Sequence, residues 1–246
     1  MKKFFADLHV HTVLSPCGEL EMSPVKIIQE AKRKNINILG VSDHNSTLHS
    51  RLMMELGNEN GIFVLPGAEV NTSEEIHCLT FFENIDNADE FQKFLESRMS
   101  PFRNDPDRFG DQVVVNRDEE IVTEIDSLLI SALTADIYDV AAEVSRLNGL
   151  LIPAHIDRPY NSLLSQLGFI PSDLSFDALE VSYRSDIKQF LKDHSELNGK
   201  ALVTNSDAHR LCDLGRATTV FEIESPEFAE IRMALMNENG RKIGLQ

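Results

Sequence analysis

Short apolar runs rich in β-branched residues alternate along most of the chain with stretches whose apolar residues follow helical spacing. The short runs predict strands, and the spaced stretches predict helices. Val25, Ile28 and Ala31 show the helical spacing, and Ser23 before Pro24 supplies an N-cap and a first-turn proline. The alternation is typical of repeated βα units around a mainly parallel sheet. We predict strands at residues 4–10, 36–42, 62–66, 76–82, 150–154, 178–182, 201–205 and 218–223, and helices at residues 24–35, 47–59, 88–98, 137–148, 186–194 and 226–238.

One polar stretch, residues 100–126, interrupts this alternation. It contains Pro101 and Pro106, and three valines starting at Val113 are followed, after a short polar turn, by a second β-branched pair at Ile121. Two such runs around a polar turn predict a small hairpin. Long loops inside a compact domain are usually functional or flexible. We therefore predict one domain over residues 1–246 with an insertion at about residues 100–126, which is either a lid or a tolerated surface excursion.

Composition and charge narrow the class of protein. With 246 residues, of which 42% are apolar and 26% charged, the chain is long enough for one large domain with a buried core. The 40 acidic and 23 basic residues give a net charge of −17, which argues against an extended nucleic-acid-binding surface or a membrane partner.

The location in the cell follows from the absence of targeting signals in the sequence. No apolar run approaches the roughly 18 residues of a membrane span, and the first residues lack a signal-peptide core. Cys17, Cys78 and Cys212 are widely spaced and odd in number, which favours reduced thiols. We therefore expect a soluble cytoplasmic protein, and no feature of the sequence specifies its oligomeric state.

Six of the eight histidines fall at the ends of predicted strands. A single histidine is usually structural, which is our interpretation of His49 and His194, and Asp43 or Asp207 alone would suit a helix N-cap. The joint pattern is different, because the carboxyl ends of the strands in a (βα) barrel meet at one rim. The predicted rim residues are His9, His11, His44, Glu69, His77, His155, Asp207 and His209.

His77 departs from this rule because it lies at the start of its predicted strand. Only residues 70–76 separate it from Glu69, which is too few for a helical crossover. The strand that ends before Glu69 and the strand that begins at His77 should therefore pair antiparallel, which returns His77 to the same rim.

Imidazole and carboxylate ligands together indicate Zn²⁺, Mn²⁺ or Fe²⁺, and so many nitrogen ligands disfavour Mg²⁺ or Ca²⁺ alone. Eight candidate ligands exceed what one tetrahedral ion can use. We therefore expect a centre of two or three divalent metal ions.

The segments that contain these candidate ligands also resemble the motifs of a known family. The segments that begin at Asp7, Ser42, Gly67, Ala154, Leu179 and Ser206 resemble, in order, the motifs of the PHP (polymerase and histidinol phosphatase) superfamily. The resemblance implies a distorted (β/α)7 TIM-like barrel of the α/β class, with a trinuclear metal centre at the C-terminal rim of the strands and phosphoester hydrolysis as the activity. Carried over by position, it implies one ion on His9, His11, Glu69 and Asp207, a second on Glu69, His77 and His155, and a third on His44 and His209.

The third ion is where this chain departs from the family pattern. Members often supply another His or an Asp from the loop after the first motif, and this loop offers Cys17 instead. Cys17 could ligate as a thiolate, Glu19 could replace it, or the site could be weakly filled.

Four further residues are candidates for supporting roles. Arg158 and Arg184 follow predicted strands and suit phosphate binding, with a surface ion pair as the alternative for each. Asp7 and Asp43 adjoin the histidines, and we expect them to act in catalysis by orienting an imidazole or shuttling a proton.

The function expected from these features is a metal-dependent phosphoesterase that uses metal-activated hydroxide. The acidic balance favours a small phosphorylated substrate, such as a nucleotide, a 3′,5′-bisphosphate or a phosphomonoester, because metal ions would offset the carboxylates of the site. Two alternatives remain open: an amidohydrolase-like hydrolase of C–N or C–O bonds, and a catalytically silent metal-binding module.

Overall fold

A computed structural model describes residues 1–245 of the chain. Twelve strands and eight helices, with a short 3₁₀ helix at Ser195–Leu197, make up this described part. The strands are β1 (Lys2–Val10), β2 (Ile38–Val41), β3 (Phe63–Leu65), β4 (Gly67–Asn71), β5 (His77–Phe81), β6 (Val113–Val115), β7 (Ile121–Glu124), β8 (Leu150–Pro153), β9 (Leu179–Glu180), β10 (Leu202–Val203), β11 (Thr219–Ile223) and β12 (Lys242–Leu245). The helices are α1 (Pro24–Arg33), α2 (Ser50–Asn60), α3 (Ile85–Arg98), α4 (Pro106–Phe109), α5 (Ile137–Arg146), α6 (Leu163–Leu167), α7 (Ile187–Asp193) and α8 (Phe228–Leu235).

The strands form a mixed α/β fold of several small sheets. In residues 1–245 the sheet orders are β12-β11-β1-β2-β3, β4-β5-β8, β9-β10 and β6-β7. Five of the strand pairs in this range are antiparallel and three are parallel, so the expectation of a mainly parallel sheet is wrong. The hydrogen-bonded sheets do not close on themselves within these residues, so the predicted (β/α)7 barrel is not confirmed.

Isolated bridges join the open sheets where the chemistry-bearing residues lie. His44 pairs with Glu69, and Val10 pairs with Ala208, both in parallel. β9 and β10 are only two residues long, so their contribution to a continuous sheet is small. The strand ends therefore still meet at one edge, although local pairing and not a closed barrel brings them there.

The helix α1 shows how local sequence sets an element. The Ser23 side chain accepts a hydrogen bond from the Lys26 N–H, and Pro24 occupies the first turn. Ile27, Ile28 and Ala31 are buried on one face of the helix. They pack with Leu39 and Val41 of β2, so burial of this face fixes α1 against the first sheet.

The antiparallel prediction for His77 is confirmed, with a different partner strand. β4 pairs antiparallel with β5, and Asn71 lies opposite His77. The sequence interpretation missed β4 because it ended the strand at Pro66, and Pro66-Gly67 is a dipeptide that usually marks a turn. Pro66 lacks an N–H, and the chain passes there from the sheet of β3 to the sheet of β4. Glu69 consequently lies inside a strand and not beyond its end.

The predicted hairpin in the insertion is present as β6 and β7, which pair antiparallel. Val113 and Val115 pack against Val13, which follows the first pair of histidines. The bidentate contact of Arg117 with Glu59, at 2.9 and 2.8 Å, also holds the hairpin. Whether the hairpin acts as a lid stays a prediction.

None of the helices in residues 1–245 has the length and the apolar character that a bilayer crossing requires.

Candidate metal centre

The eight predicted rim residues lie together at one edge of the sheets. His9 lies near the end of β1 and His11 directly after it, and the side chains of Glu69 in β4 and His77 in β5 contact each other. His155 and Asp207 follow β8 and β10 with φ angles of 31° and 51°, a left-handed conformation that few non-glycine residues adopt and that occurs preferentially at functional sites. We name the set His9, His11, His44, Glu69, His77, His155, Asp207 and His209 the histidine cluster.

Glu69 is at the centre of this histidine cluster. Its side chain is buried and lies within ion-pair distance of five imidazoles. Oε1 is 3.2 Å from His9 Nε2, 2.9 Å from His77 Nδ1 and 3.3 Å from His155 Nε2. Oε2 is 3.1 Å from His44 Nδ1 and 3.5 Å from His11 Nε2. One carboxylate therefore contacts nitrogens from four separate strand ends, as a shared ligand of two ions would.

Asp207 supplies the second carboxylate. Its Oδ1 lies 3.3 Å from His9 Nε2 and 3.4 Å from His11 Nε2. His209 Nδ1 is 3.5 Å from the same oxygen, and the His209 ring stacks on His11 with ring centroids 4.2 Å apart. Asp207 thus joins His9, His11 and His209 around one carboxylate.

The donor set fits divalent metal ions. Three groups bring their ligand atoms within 4.8 Å of one another: His9 with His11 and Glu69, His44 with Glu69 and His77, and His11 with His44 and His209. His9 Nε2, His11 Nε2 and His44 Nδ1 are buried, and although carboxylate oxygens lie 3.1–3.5 Å away, none of the three has a partner in hydrogen-bonding geometry within the described residues. A buried polar atom without a partner is costly. A cation among these nitrogens would satisfy all three.

Burial and mutual charge set the protonation of the histidine cluster. Burial favours the neutral form of Glu69 and Asp207, but the charges of neighbouring imidazoles outweigh it and hold the pKa of each carboxyl well below its usual value. Burial lowers the pKa of His44 and His155, and it lowers that of His209 to about 4. These imidazoles therefore stay neutral near pH 7, which is the form that binds a metal ion.

His9 behaves differently from the other imidazoles. Burial lowers its pKa, but the charges of Glu180, Glu69 and Asp207 outweigh burial and raise the pKa well above the usual value. A proton on His9 therefore competes directly with a metal ion.

Glu180 orients His9 and was not among the predicted site residues. Its oxygens lie 3.0 and 3.1 Å from His9 Nδ1. Asn205 and the His155 N–H donate to the same carboxylate at 2.8 and 2.9 Å. A bond at Nδ1 leaves Nε2 of His9 free to face the histidine cluster. The signal in the sequence was a lone glutamate in the middle of the apolar run 178–182, and a glutamate is rarely buried there without a partner.

Asp7 and Asp43 do not contact the imidazoles that they adjoin in sequence. Asp7 is fully buried, which raises its pKa to about 6, and it accepts the N–H groups of Ser206 and Gly215 at 3.0 and 2.7 Å. Asp43 accepts the Thr12 N–H and the Ser15 hydroxyl, both at 2.7 Å. Each carboxylate therefore holds a loop that carries candidate ligands, and a proton-shuttle role for either stays a prediction.

Cys17 and Glu19 lie at the border of the histidine cluster. Cys17 is an exposed residue and belongs to none of the three ligand groups found among residues 1–245. Desolvation and the charge of Glu69 raise the pKa of its thiol to about 12, so the thiol keeps its proton unless a cation offsets that charge. Glu19 instead pairs with Arg210 at 2.9 Å.

The two predicted phosphate-binding arginines have different surroundings. Arg158 is mostly buried, and its Nη2 lies 2.5 Å from Asp207 Oδ2, at the edge of the histidine cluster. Arg184 is exposed, and its Nε donates to the Tyr183 hydroxyl at 2.9 Å. The structure therefore brings Arg158 to the site and places Arg184 on the neighbouring loop.

Comparison with known proteins identifies the family. The model of the PHP domain matches residues 7–167, and the model of the PHP-associated region matches residues 193–239. The chain belongs to the PHP domain family. Members of this family are metal-dependent hydrolases, and the first of these matches contains six of the eight residues of the histidine cluster.

Two proteins that are similar to this PHP chain are longer than it is. The uncharacterized protein YqxK of Bacillus subtilis (strain 168) is 26% identical over 276 aligned residues, which cover 99% of this chain and 64% of YqxK. The lesion-specific endonuclease PfuEndoQ of Pyrococcus furiosus shares the fold with a TM-score of 0.74 and 24% identity, over 98% of this chain and 58% of that one. The chain thus spans about three fifths of the length of these two proteins.

A second Endonuclease Q structure corrects the substrate expected from the sequence. It contains a 27-mer duplex with an abasic lesion at the active site, and it matches 98% of this chain with a TM-score of 0.72 and 23% identity. The expectation of a small phosphorylated substrate and no nucleic-acid surface is therefore wrong. Net charge averages over the whole surface, so a value of −17 does not exclude a local nucleic-acid contact.

Proposed function

We propose that this PHP chain hydrolyses phosphodiester bonds of DNA at a centre of two or three divalent metal ions. The observation that carries the proposal is the buried Glu69 carboxylate, which contacts five imidazoles. Family membership supports metal-dependent hydrolysis. The shared fold with Endonuclease Q supports a nucleic-acid substrate.

The proposed ligand sets are those that the family resemblance implies. His9, His11, Glu69 and Asp207 would hold one ion, Glu69 with His77 and His155 would hold a second, and His44 and His209 would hold a third, with Cys17 or Glu19 as a further donor. Nitrogen and carboxylate donors in this ratio favour Zn²⁺, Mn²⁺ or Fe²⁺.

Such ions supply a nucleophilic hydroxide near neutral pH and neutralise charge on the phosphate oxygens. The protein side chains do the positioning. Glu180 holds the Nδ1 proton of His9, so that Nε2 faces the centre. Arg158 steadies Asp207 with one N–H and has further donors for a phosphate oxygen. Asp7 and Asp43 hold the loops of Asp207 and His11 in place.

Recognition of DNA falls to a small surface beside the histidine cluster, which we name the rim patch: Arg158, Tyr160, Tyr183 and Arg184. Tyr160 is 60% exposed. The guanidinium of Arg216 lies 4.0 Å from the centroid of the Tyr183 ring, and that of Arg184 lies 5.3 Å away. Guanidinium groups bind phosphates and aromatic rings stack on bases. The rim patch holds two of the three tyrosines of the chain, which suits a local DNA contact on a protein of net charge −17.

The experiment combines elemental analysis with cleavage assays. The purified chain is loaded with Mn²⁺ or Zn²⁺ and offered single-stranded DNA, intact duplex and duplex with an abasic site, beside panels of phosphomonoesters, amides and lactones. We expect two or three ions per chain and cleavage of an oligonucleotide. Glu69→Gln is the inactive reference, and Glu90→Gln, which alters an exposed carboxylate on α3, is the matched control.

Other outcomes would contradict the proposal. Turnover confined to amides or lactones would indicate the amidohydrolase-like alternative. Bound metal without turnover of any panel would indicate a catalytically silent module. Release of phosphate from monoesters with no DNA cleavage would refute the nucleic-acid substrate.

A further inference from the structure

A buried histidine outside the proposed ligand set connects the inserted hairpin to the metal centre. His49 precedes α2 and is 1% exposed. Its Nε2 lies 2.9 Å from the backbone N of Val115 in β6, which is 66 residues away in sequence. Its Nδ1 lies 2.6 Å from the Thr12 hydroxyl oxygen, one residue after His11. One ring thus contacts both the insertion and the loop of a candidate ligand.

The chemistry of the partners sets the direction of these hydrogen bonds. A backbone N–H can only donate, so His49 Nε2 accepts from Val115. Burial lowers the pKa of His49, which keeps the ring neutral. A neutral ring that accepts at Nε2 carries its proton at Nδ1, so His49 donates to Thr12.

The hydrogen-bond chain continues to His11 through buried groups. Thr12 Oγ1 donates to Asp43 Oδ2 at 2.7 Å. Ser15 Oγ donates to the other oxygen, Asp43 Oδ1, also at 2.7 Å. His11 Nδ1 lies 3.1 Å from Ser15 Oγ. Because the Ser15 hydrogen is used on Asp43, His11 must donate from Nδ1, and its Nε2 lone pair then faces Glu69 and Asp207.

We propose that His49 is a positioning residue that couples the seating of the β6–β7 hairpin to the tautomer and orientation of His11. The inference rests on the proposed metal centre, in which His11 is a ligand. Every side chain in the hydrogen-bond chain is buried, so water cannot easily replace a bond that is lost. The insertion thereby acts on the metal centre through His49, whether or not it also covers the substrate.

If His49 were purely structural, it would only accept the hydrogen bond of the Val115 N–H. Two variants separate this structural role from the proposed positioning role. His49→Phe removes both bonds of the ring. Thr12→Val keeps the His49 bond to Val115 and the backbone N–H bond from residue 12 to Asp43, and it removes the hydroxyl that joins His49 to Asp43 with little change in shape. His194→Phe is the matched control, because His194 is a partly exposed histidine whose ring contacts Phe190 and Glu196.

Three measurements are made on each full-length variant: Zn²⁺ affinity by competition titration, Val115 amide exchange by NMR, and the ring tautomer of His11 from ¹H–¹⁵N spectra. We expect His49→Phe to accelerate Val115 exchange, to weaken the tightest Zn²⁺ site by about 10- to 100-fold, and to add a second His11 tautomer. Thr12→Val should weaken Zn²⁺ binding and mix the tautomers with Val115 exchange unchanged. His194→Phe should change none of the three.

Wild-type Zn²⁺ affinity in both His49→Phe and Thr12→Val would overturn the positioning role alone. If His49→Phe does not fold, Thr12→Val decides the question by itself. A wild-type protein that binds no Zn²⁺ would overturn the metal centre and the role of His49 together, so the two failures are distinguishable.

Discussion

The histidine cluster and the rim patch lie side by side but are built in opposite ways. In the histidine cluster Glu69 is 1% exposed and His9 is 0% exposed, and each contacts several charged or polar partners. In the rim patch Tyr160 is 60% exposed, and Arg184 contacts only its neighbour Tyr183 through its Nε. Buried, mutually bonded groups are suited to holding ions in fixed positions, whereas exposed rings and guanidinium groups suit a partner that arrives from solvent.

Because the two regions are built differently, substitutions in one should change different measured properties from substitutions in the other. Damage to the histidine cluster should remove metal ions and turnover together. Damage to the rim patch should weaken DNA binding while the bound metal is unchanged. Arg158 belongs to the rim patch but also contacts the histidine cluster, because its Nη2 bonds Asp207.

Glu69→Gln should have the largest effect. The amide cannot bridge two cations and leaves five imidazoles without their shared carboxylate. We expect the loss of at least one bound ion by elemental analysis and a fall in kcat of about 1000-fold or more. Retention of all the metal with near-normal DNA cleavage would refute the central role of Glu69.

Glu180→Gln tests the support behind the histidine cluster. The substitution retains a side chain of the same size but removes the charge that fixes the Nδ1 proton of His9. We expect metal affinity to fall by about 10- to 100-fold. Elevated metal concentration should restore most of the turnover, which distinguishes this variant from Glu69→Gln. Metal affinity that competition titration finds unchanged would show that the Glu180 side chain only packs at the end of β9 and does not support the metal centre.

The histidine cluster was predictable from sequence because its residues stand at strand ends in short motifs. Each of the six predicted histidines lies within contact distance of Glu69 or Asp207, the two predicted carboxylates. Sheet closure was not predictable, because pairing between distant strands leaves no local pattern, and β9 and β10 are shorter than the runs that contain them.

The supporting residues were harder to predict for a different reason. Glu180 and His49 each occur singly, and a single buried residue looks structural until its partners are known. The Val115 N–H that specifies the His49 tautomer comes from the insertion, which sequence alone could describe only as a lid or an excursion.

Metal binding should also depend on pH, with a sign set by His9. Its pKa is raised well above the usual value, so the folded protein without metal carries a proton there near pH 7. A metal ion must displace that proton, so affinity should rise with pH by about tenfold per unit and level off above the pKa of His9. His44, His155 and His209 have lowered pKa values and should release no proton.

Calorimetry in two buffers of different ionisation enthalpy measures this proton release directly. About one proton per ion at the His9 site is expected near pH 7. Affinity that stays constant between about pH 6 and 8 would show that His9 is neutral before metal binds.

The smallest effect is expected for a substitution in the rim patch. It is also the most direct test of the contrast between the rim patch and the histidine cluster. Tyr160→Ala removes a stacking surface worth about 1 kcal/mol or more, so KM for an oligonucleotide should rise about fivefold while kcat and metal content stay at wild-type values. Tyr138→Ala is the matched control, because Tyr138 is an exposed tyrosine on α5 whose hydroxyl is bonded to Asp173. A fall in kcat or in bound metal for Tyr160→Ala would mean that the two regions are coupled. A KM equal to that of Tyr138→Ala would remove Tyr160 from the DNA-binding surface and leave recognition to the arginines.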